Sequence, residues 1–171
     1  MINIPKWIED VFQTYLTSEF TYMDGDNPKT VAVVSFYDAA RSLIILTTSP
    51  AFYYKVKCIK RNPKVSLLYS NSNYSGLEKH SVVLVQGEAN IDEENPHRNN
   101  QYIMNLMSKQ KESWKKTVVN KMIKELTSPI GKLMMDWYTI RILIEIKPHI
   151  IYAWQDGNLE KPPEALELKQ N

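Results

Sequence analysis

Three hydroxyl side chains, Thr47, Thr48 and Ser49, lie together where a predicted strand meets a predicted helix. The first N–H groups of a helix are unpaired and carry a partial positive charge, so such a junction can bind an anion. Ser49 is a favoured N-cap residue, and Pro50 suits the first helical position. Hydroxyl groups here would add hydrogen bonds to phosphate oxygens. The pattern therefore indicates a phosphate-binding turn.

Lys55 is the cation best placed to reach a ligand at this turn. At ~100° per residue it lies about 60° from Phe52 around the predicted helix, on the shoulder of an apolar stripe. We expect this stripe to be buried and to consist of Phe52, Val56 and Ile59. Lys57 and Arg61 fall on the outer face. Periodicity alone favours a plainer interpretation, a capped amphipathic helix with solvated lysines.

The elements that would position these residues are mostly strands. Alternating and β-branched segments predict strands at 31–37, 43–48, 65–70, 81–89, 138–147 and 150–154. Helices are predicted at 5–16, between Pro50 and Asn62, and within 92–126. Strands with clustered helices favour an α+β fold, and about six antiparallel strands close most naturally into a small barrel. We expect one domain over 1–154, with a helical insert at about 92–135 and a frayed tail at 155–171.

Composition and charge narrow the class of function. The 171 residues are 43% hydrophobic and 23% charged, and the net charge is only +2, so no concentrated basic face for nucleic acid is expected. The single cysteine, Cys58, cannot form an internal disulfide. No apolar segment approaches the ~20 residues of a membrane helix, and no leader-like segment is recognised. We therefore expect a cytoplasmic protein that binds neither nucleic acid nor membrane.

Common catalytic motifs are missing from the sequence. It has no glycine-rich dinucleotide motif, no phosphate-loop motif and no nucleophile elbow. One cysteine and three dispersed histidines give no zinc-ligand spacing, so no metal site is predicted. The absence of these motifs makes a hydrolase or a metalloenzyme a less favoured interpretation.

A family resemblance adds weight to the phosphate-binding interpretation. The segments Leu43-Ile-Ile-Leu-Thr-Thr-Ser-Pro50 and Lys55-Val-Lys-Cys-Ile-Lys-Arg-Asn-Pro-Lys-Val-Ser-Leu-Leu-Tyr69 resemble the pyridoxamine 5′-phosphate oxidase-like FMN-binding split-barrel superfamily. That superfamily has a strand ending in threonines and serines, a lysine eight residues before the proline of an Asn-Pro pair, and a Val-Ser-Leu strand. The segments Val82-Val-Leu-Val-Gln-Gly87 and Ile150-Ile-Tyr-Ala-Trp154 are similar to its later strands. The fold implied is a mainly antiparallel, six-stranded split β-barrel with flanking helices.

The resemblance implies a flavin site at the interface of a homodimer. Backbone groups would line the flavin ring at Thr30, Val31, Ala32 and Val33. The ribityl chain and phosphate would meet Thr47, Thr48 and Ser49, and Lys55 would pair with the phosphate. Trp154 would reach the flavin of the partner subunit, or would be an ordinary core or interface aromatic.

The sequence departs from the vitamin B6 oxidase at two places. The oxidase has Ser-Arg-Lys where this chain has Tyr53-Tyr54-Lys55, so one phosphate-binding arginine is missing. The oxidase also has an Arg-Gln pair where this chain has Ser81-Val82. Oxidation of vitamin B6 is therefore not expected.

Three kinds of function remain open. The first is an FMN-dependent oxidoreductase acting on a small molecule, or a deazaflavin-dependent reductase whose basic groove would use Lys57, Lys60 and Arg61. The second is a non-catalytic barrel that holds haem or another ligand. The third is a protein-interaction module that uses an apolar face of residues 102–126.

Overall fold

The computed structural model describes residues 4–73, 77, 80–110 and 140–168. These residues form an α+β fold, as predicted, built on one antiparallel sheet of eight strands. The helices are α1 (Lys6–Thr14), α2 (Tyr54–Arg61) and α3 (Pro96–Lys109), and a 3-10 turn spans Pro50–Phe52. The strands are β1 (Ser18–Asp24), β2 (Asn27–Val33), β3 (Phe36–Asp38), β4 (Leu43–Thr48), β5 (Lys64–Tyr69), β6 (Val82–Asp92), β7 (Ile142–Trp154) and β8 (Glu164–Glu167).

The sheet curls because its two outermost strands, β2 and β3, follow each other directly in the chain. The strand order is β2-β1-β5-β6-β7-β4-β3, so β2 and β3 stand at opposite ends. From Val33 to Phe36 the chain can span at most ~11 Å, so those ends must meet and the sheet closes into a barrel. β8 lies outside this order and pairs with the second half of β7, whose first half pairs with β4.

Helix α1 closes one end of the barrel because its apolar face points into the core. The predicted spacing of Ile8, Val11, Phe12 and Tyr15 is confirmed, since all four side chains are fully buried. The ring of Phe12 lies 5.4 Å from that of Tyr37. Tyr15 anchors this end, because its hydroxyl donates to the carbonyl of Ser81 at 2.7 Å and accepts from the Ser81 N–H at 2.9 Å.

A second apolar cluster covers the outside of the barrel. Ile44 and Leu46 belong to the barrel core, whereas Ile45 between them packs outside with Leu143 and with Ile103 of α3. This alternation along β4 follows from the period of two in a strand. Helix α3 is thereby fixed to the outer face of β3, β4 and β7.

The structure corrects the strand prediction in three places. The described residues contain eight strands rather than the six predicted, because β1 and β8 were not predicted. The predicted strand 31–37 is two strands, β2 and β3, and Pro28 lies inside β2, which has β1 as its sole described neighbour. An edge strand tolerates proline because one side of its backbone needs no partner. The tail expected from 155 onward contains β8.

Pro148 does not interrupt β7. The pairing of β6 with β7 instead shifts register between Gln86 and Gly87, and Gly87 stands opposite Pro148. A bulge accommodates proline, which cannot donate to the ladder. A Cβ atom on Gly87 would lie 2.2 Å from the carbonyl oxygen of Lys147, so only glycine allows the two strands to approach this closely.

The helix predicted from Pro50 begins later than expected. Residues Pro50–Phe52 form a 3-10 turn, and α2 starts at Tyr54. Phe52 was predicted to be buried but is 69% exposed, because the change of helix type takes it out of phase with Val56 and Ile59, which are buried.

Part of the predicted helical section lies outside the described residues. Helix α3 accounts for Pro96–Lys109, while residues 111–139 and the predicted break at 128–131 are not described. Within the described ranges, no helix combines the length and apolar character needed to cross a membrane.

Candidate cofactor site

The junction of β4 and α2 carries the three predicted hydroxyl residues. Thr48 and Ser49 are buried, and Thr47 is half-buried. Ser49 Oγ accepts a hydrogen bond from the N–H of Ala51 at 3.3 Å, so this hydroxyl caps the 3-10 turn. Thr48 continues the inward-facing row of β4, and Thr47 continues the outward-facing row of Ile45. The hydroxyls of Thr47 and Thr48 therefore face opposite sides of the sheet. One ligand can form a hydrogen bond with either hydroxyl, but not with both.

Lys55 lies in the first turn of α2 and is half-buried. Its ammonium makes no hydrogen bond or ion pair within the described part of the chain, and burial lowers the pKa of this lysine below its ordinary value. A partly buried ammonium without a partner is unfavourable, and a bound anion would remove that cost. These are the properties expected of a lysine whose ammonium pairs with an anionic ligand.

Tyr54 takes the place of the arginine seen in the vitamin B6 oxidase, and the structure gives it another role. Its hydroxyl donates to Asp24 Oδ1 at 2.8 Å, at the turn between β1 and β2. Lys29 Nζ lies 2.8 Å from Asp24 Oδ2 and 5.7 Å from the centre of the Tyr54 ring. Hydrogen bonds from Lys29 and then Tyr54 hold the pKa of Asp24 below its usual value. Tyr54 thus joins α2 to the β1–β2 hairpin.

The outer cations of α2 differ in how they are paired. Lys60 forms an ion pair with the carboxylate of Glu93, which also accepts a hydrogen bond from the hydroxyl of Tyr53 at 2.9 Å. Lys57 Nζ lies 6.0 Å from the centre of the Tyr53 ring. Arg61 is exposed. Because Glu93 balances the charge of Lys60, the basic groove expected for a deazaflavin would depend on Lys57 and Arg61.

Strand β2 forms one side of a gap in the barrel. Thr30, Val31 and Ala32 are exposed, and Val33 is half-buried. Val31 pairs with Phe20, so both side chains face the same side, yet Phe20 is fully buried and Val31 is 36% exposed. The inner face of β2 is therefore only partly covered. Among the described strands β2 pairs with β1 alone, so along its other edge the backbone groups make no ladder hydrogen bond to another described strand.

The open end of β2 is linked to the hydroxyl junction through β3. In the β3–β4 pairing, Phe36 stands opposite Ile45. Val33 ends β2 three residues before Phe36, and Thr48 ends β4 three residues after Ile45. β2 is thus connected to the β4–α2 junction through β3, and the β1–β2 hairpin is joined to α2 by the Tyr54–Asp24 contact.

Trp154 is not part of this group within one chain. It ends β7, whereas Ile142 at the beginning of β7 pairs with Thr48. Twelve residues of strand separate the two, or ~40 Å at about 3.3 Å per residue. The indole N–H of Trp154 donates to the carbonyl of Lys161 at 2.8 Å.

A row of polar residues next to Thr30 was not predicted from the sequence. Thr30 pairs with Thr21, Thr21 with Ser66, and Ser66 with Gln86. Thr21, Ser66 and Gln86 line an outer-face groove of about 510 Å³. Sequence spacing carries no signal for this row, because these residues meet only through the register of four strands. Among the described residues, no cluster of His, Cys, Asp and Glu has the form of a metal site.

No protein-family model matches this chain, and no curated protein matches it. Solved structures share its fold. A conserved hypothetical protein of Mycobacterium tuberculosis aligns with a TM-score of 0.59 at 20% identity, covering 96% of this chain and 93% of that one. A Clostridium acetobutylicum protein described as related to general stress protein 26, of the pyridoxinephosphate oxidase family, aligns at 0.58 with 12% identity over 94% and 93%. An F420 reductase aligns at 0.55 with 17% identity over 86% and 98%.

Proposed function

Because the chain has the split-barrel fold of pyridoxamine 5′-phosphate oxidase-like proteins, we propose that it is an oxidoreductase that binds FMN. The cofactor phosphate would pair with Lys55, next to the β4–α2 junction. The flavin ring would lie along the partly covered face of β2 and the edge away from β1, at Thr30, Val31, Ala32 and Val33. The substrate would be a small molecule other than vitamin B6.

The observation that carries this proposal is the environment of Lys55. Its half-buried ammonium has a lowered pKa and no partner in the described part of the chain. A phosphate would supply the missing charge and hydrogen bonds. The hydroxyl of either Thr47 or Thr48 would add a donor to the same phosphate.

The scarcity of catalytic motifs agrees with a cofactor enzyme. A flavin supplies the hydride or electron transfer when it is bound, and the protein binds it, orients it and tunes it electrostatically. In this chain β2 would fix the plane of the ring and Lys55 would fix the phosphate end. Neither task requires a side chain that acts as an acid or base.

A deazaflavin is the alternative cofactor, and the likeness to the F420 reductase favours it. A deazaflavin with an acidic tail would need cations beyond Lys55. Lys57 and Arg61 on the exposed side of α2 would provide them, since Lys60 is paired with Glu93. Loss of Lys57 should then weaken deazaflavin binding more than FMN binding.

We also propose that the site is completed by a second copy of the chain. Trp154 lies at the far end of β7 from Thr48, an arrangement that favours its approach to the cofactor from a partner subunit. A homodimer with two sites at its interface fits this arrangement.

The test is an absorbance spectrum of purified protein that has been loaded with FMN and desalted. We expect retained flavin, and a dissociation constant for FMN raised ~10- to 100-fold in Lys55→Ala, as for the loss of one charged hydrogen bond. Lys57→Ala is the matched control, since it removes an exposed lysine two residues away and should bind FMN as the parent does.

Two results would contradict the proposal. The first is a protein that retains neither FMN nor a deazaflavin, in which case haem titration would test a non-catalytic binding module. The second is equal FMN affinity in the parent and in Lys55→Ala.

A further inference from the structure

A second cavity lies between the first half of α3 and the outer face of β6 and β7. Its volume is about 570 Å³, within the usual range for small-molecule sites. Two cross-strand pairs form its floor, Asn90 with Glu145 and Asp92 with Leu143. None of the residues predicted from the sequence to bind flavin lines this cavity, so a ligand bound here is independent of the proposed function.

One wall of the cavity is fixed by a chain of polar contacts. Arg41 Nη1 donates to Glu145 Oε1 at 2.7 Å and to the Tyr102 oxygen at 3.4 Å. The Tyr102 hydroxyl donates to Asp38 Oδ2 at 2.5 Å. Burial, followed by the Asp38 contact, raises the pKa of Tyr102 to about 12, so this hydroxyl remains protonated. Side chains held in this way lose little freedom when a ligand binds.

The other wall is formed by Arg98, one helical turn before Tyr102. Residues four apart share a helix face, so Arg98 and Tyr102 both face the cavity. The guanidinium of Arg41 lies 5.9 Å from the centre of the Tyr102 ring. Arg98 Nη2 lies 3.3 Å from Asp92 Oδ2. A guanidinium has five N–H donors, and towards the described residues each arginine uses only one of its Nη atoms. The remaining donors of both arginines are available to an anionic group.

The cavity also offers unused acceptors. The Glu94 carboxylate and the Asn90 side-chain amide make no hydrogen bond to the described part of the chain. The lining residues carry two guanidinium groups and three carboxylates, on Asp92, Glu94 and Glu145. The excess of negative charge disfavours a phosphate or a dicarboxylate, and the two arginines disfavour a simple cation. A ligand that carries one charge of each sign matches the lining.

We propose that this cavity binds a zwitterionic molecule of dipeptide size, with its carboxylate between Arg41 and Arg98 and its ammonium at Glu94. A dipeptide separates the two charges by its backbone, whereas the cavity is larger than a single amino acid requires. The peptide group would meet the Asn90 amide. The site is a binding site only, and no bond is made or broken in it.

The test is isothermal titration of the full chain with L-alanyl-L-alanine. The two matched probes are its N-acetyl form, which lacks the ammonium, and its C-terminal amide, which lacks the carboxylate. We expect the free dipeptide to bind, and each blocked form to bind at least about tenfold more weakly, because each loses one charged contact. In NMR spectra, the dipeptide should shift the Nε–H signal of Arg98.

Variants make the test specific to the cavity. Arg98→Gln should weaken dipeptide binding at least about tenfold, since it removes one charge from an exposed side chain without opening the core. Lys109→Gln, a matched loss of an exposed cation in the last turn of the same helix, should leave binding unchanged. The proposal is overturned if the free dipeptide does not bind at millimolar concentration, if the blocked forms bind as well, or if Arg98→Gln binds like the parent. Binding that depends on Lys55 would also overturn it, because the dipeptide would then occupy the candidate cofactor site.

Discussion

Burial, rather than charge alone, distinguishes Lys55 from the other cations of α2. Lys57 and Arg61 are exposed and Lys60 is paired with Glu93, while Lys55 is half-buried without a described partner. Lys55 was predicted from its helical phase relative to three apolar residues. Phe52, one of the three, proved exposed, but Val56 and Ile59 are buried and still direct Lys55 towards the barrel. Helical phase is readable from a sequence, whereas the absence of a partner is not.

The titration of Lys55 should reveal this environment. Burial lowers its pKa in the folded protein, so between that value and the ordinary 10.5 the unfolded chain binds more protons. The contribution of Lys55 to the free energy of unfolding therefore rises with pH across that window, and it is smallest at pH values below the window. Lys55→Met should raise the stability of the cofactor-free protein at neutral pH and remove this part of the pH dependence.

Carbon-13 NMR of the Lys55 Cε atom measures the same effect directly. We expect a pKa below the ordinary 10.5 in the cofactor-free protein, and a rise when FMN is added, because phosphate stabilises the ammonium. A Lys55 pKa at or above the ordinary value, or one that does not respond to FMN, would contradict the assignment.

Gly87 is the single residue whose replacement should damage the sheet most directly. A Cβ atom there would meet the Lys147 carbonyl at 2.2 Å, and backbone atoms cannot move aside as a flexible side chain can. Gly87→Ala should lower the free energy of unfolding by ~2–3 kcal/mol or more in urea denaturation. Gly25→Ala is the control, because its site is open and only its positive φ of 62° is strained, at about 1–2 kcal/mol. Equal losses in the two variants would show that β6 and β7 separate easily.

Among the helices and strands, those with strong local periodicity were predicted well. α1, β4, β5 and β6 each have an apolar pattern of the correct period and were found near their predicted bounds. β1 also alternates, with Phe20 and Tyr22 buried, but its polar members concealed the pattern. β8 is short and polar, and it forms because β4 leaves the second half of β7 without a neighbour. That cause lies in the topology, so no local sequence signal carries it.

The packing of α3 on the barrel gives a prediction for this helix. Ile103 is buried against Ile45 and Leu143, whereas its neighbour Met104 is 50% exposed. Ile103→Ala should lower the free energy of unfolding by ~2–4 kcal/mol, and Met104→Ala should change it by less than about 0.5 kcal/mol. Both are measured by chemical denaturation. If Ile103→Ala were harmless, α3 would not be held by this cluster, and the dipeptide cavity beneath it would not be preformed.

The barrel as a whole sets which parts of the candidate site one chain can supply. Lys55 follows the end of β4 that pairs with the beginning of β7, whereas Trp154 lies at the end of β7. This separation follows from strand register and is not visible in the linear sequence. The end of β2 and the beginning of β3, by contrast, are only three residues apart in the chain, from Val33 to Phe36. The family resemblance therefore suggested candidate members of the site and a role for Trp154 across a dimer interface, whereas the strand register that separates Trp154 from Lys55 could not be read from the sequence.

Mixing two variants tests the shared site. Lys55→Ala and Trp154→Ala should each bind FMN weakly alone, because each lacks one contact at every site. If one site uses Lys55 of one subunit and Trp154 of the other, a mixed dimer regains one complete site. Unfolding and refolding an equal mixture should then restore parent-like affinity to about a quarter of the sites. No restoration, or a monomer in sedimentation analysis, would contradict the arrangement.

The pairing of β4 with β7 also governs how the protein is made. Ile44 stands opposite Ile146, so β4 emerges from the ribosome roughly one hundred residues before its partner. At about 5–20 residues per second the delay is ~5–20 s, during which an apolar strand has an unpaired edge. We therefore expect the newly made chain to benefit from chaperones that shield such strands. Its yield in cells should depend on those chaperones more strongly than its final stability would suggest.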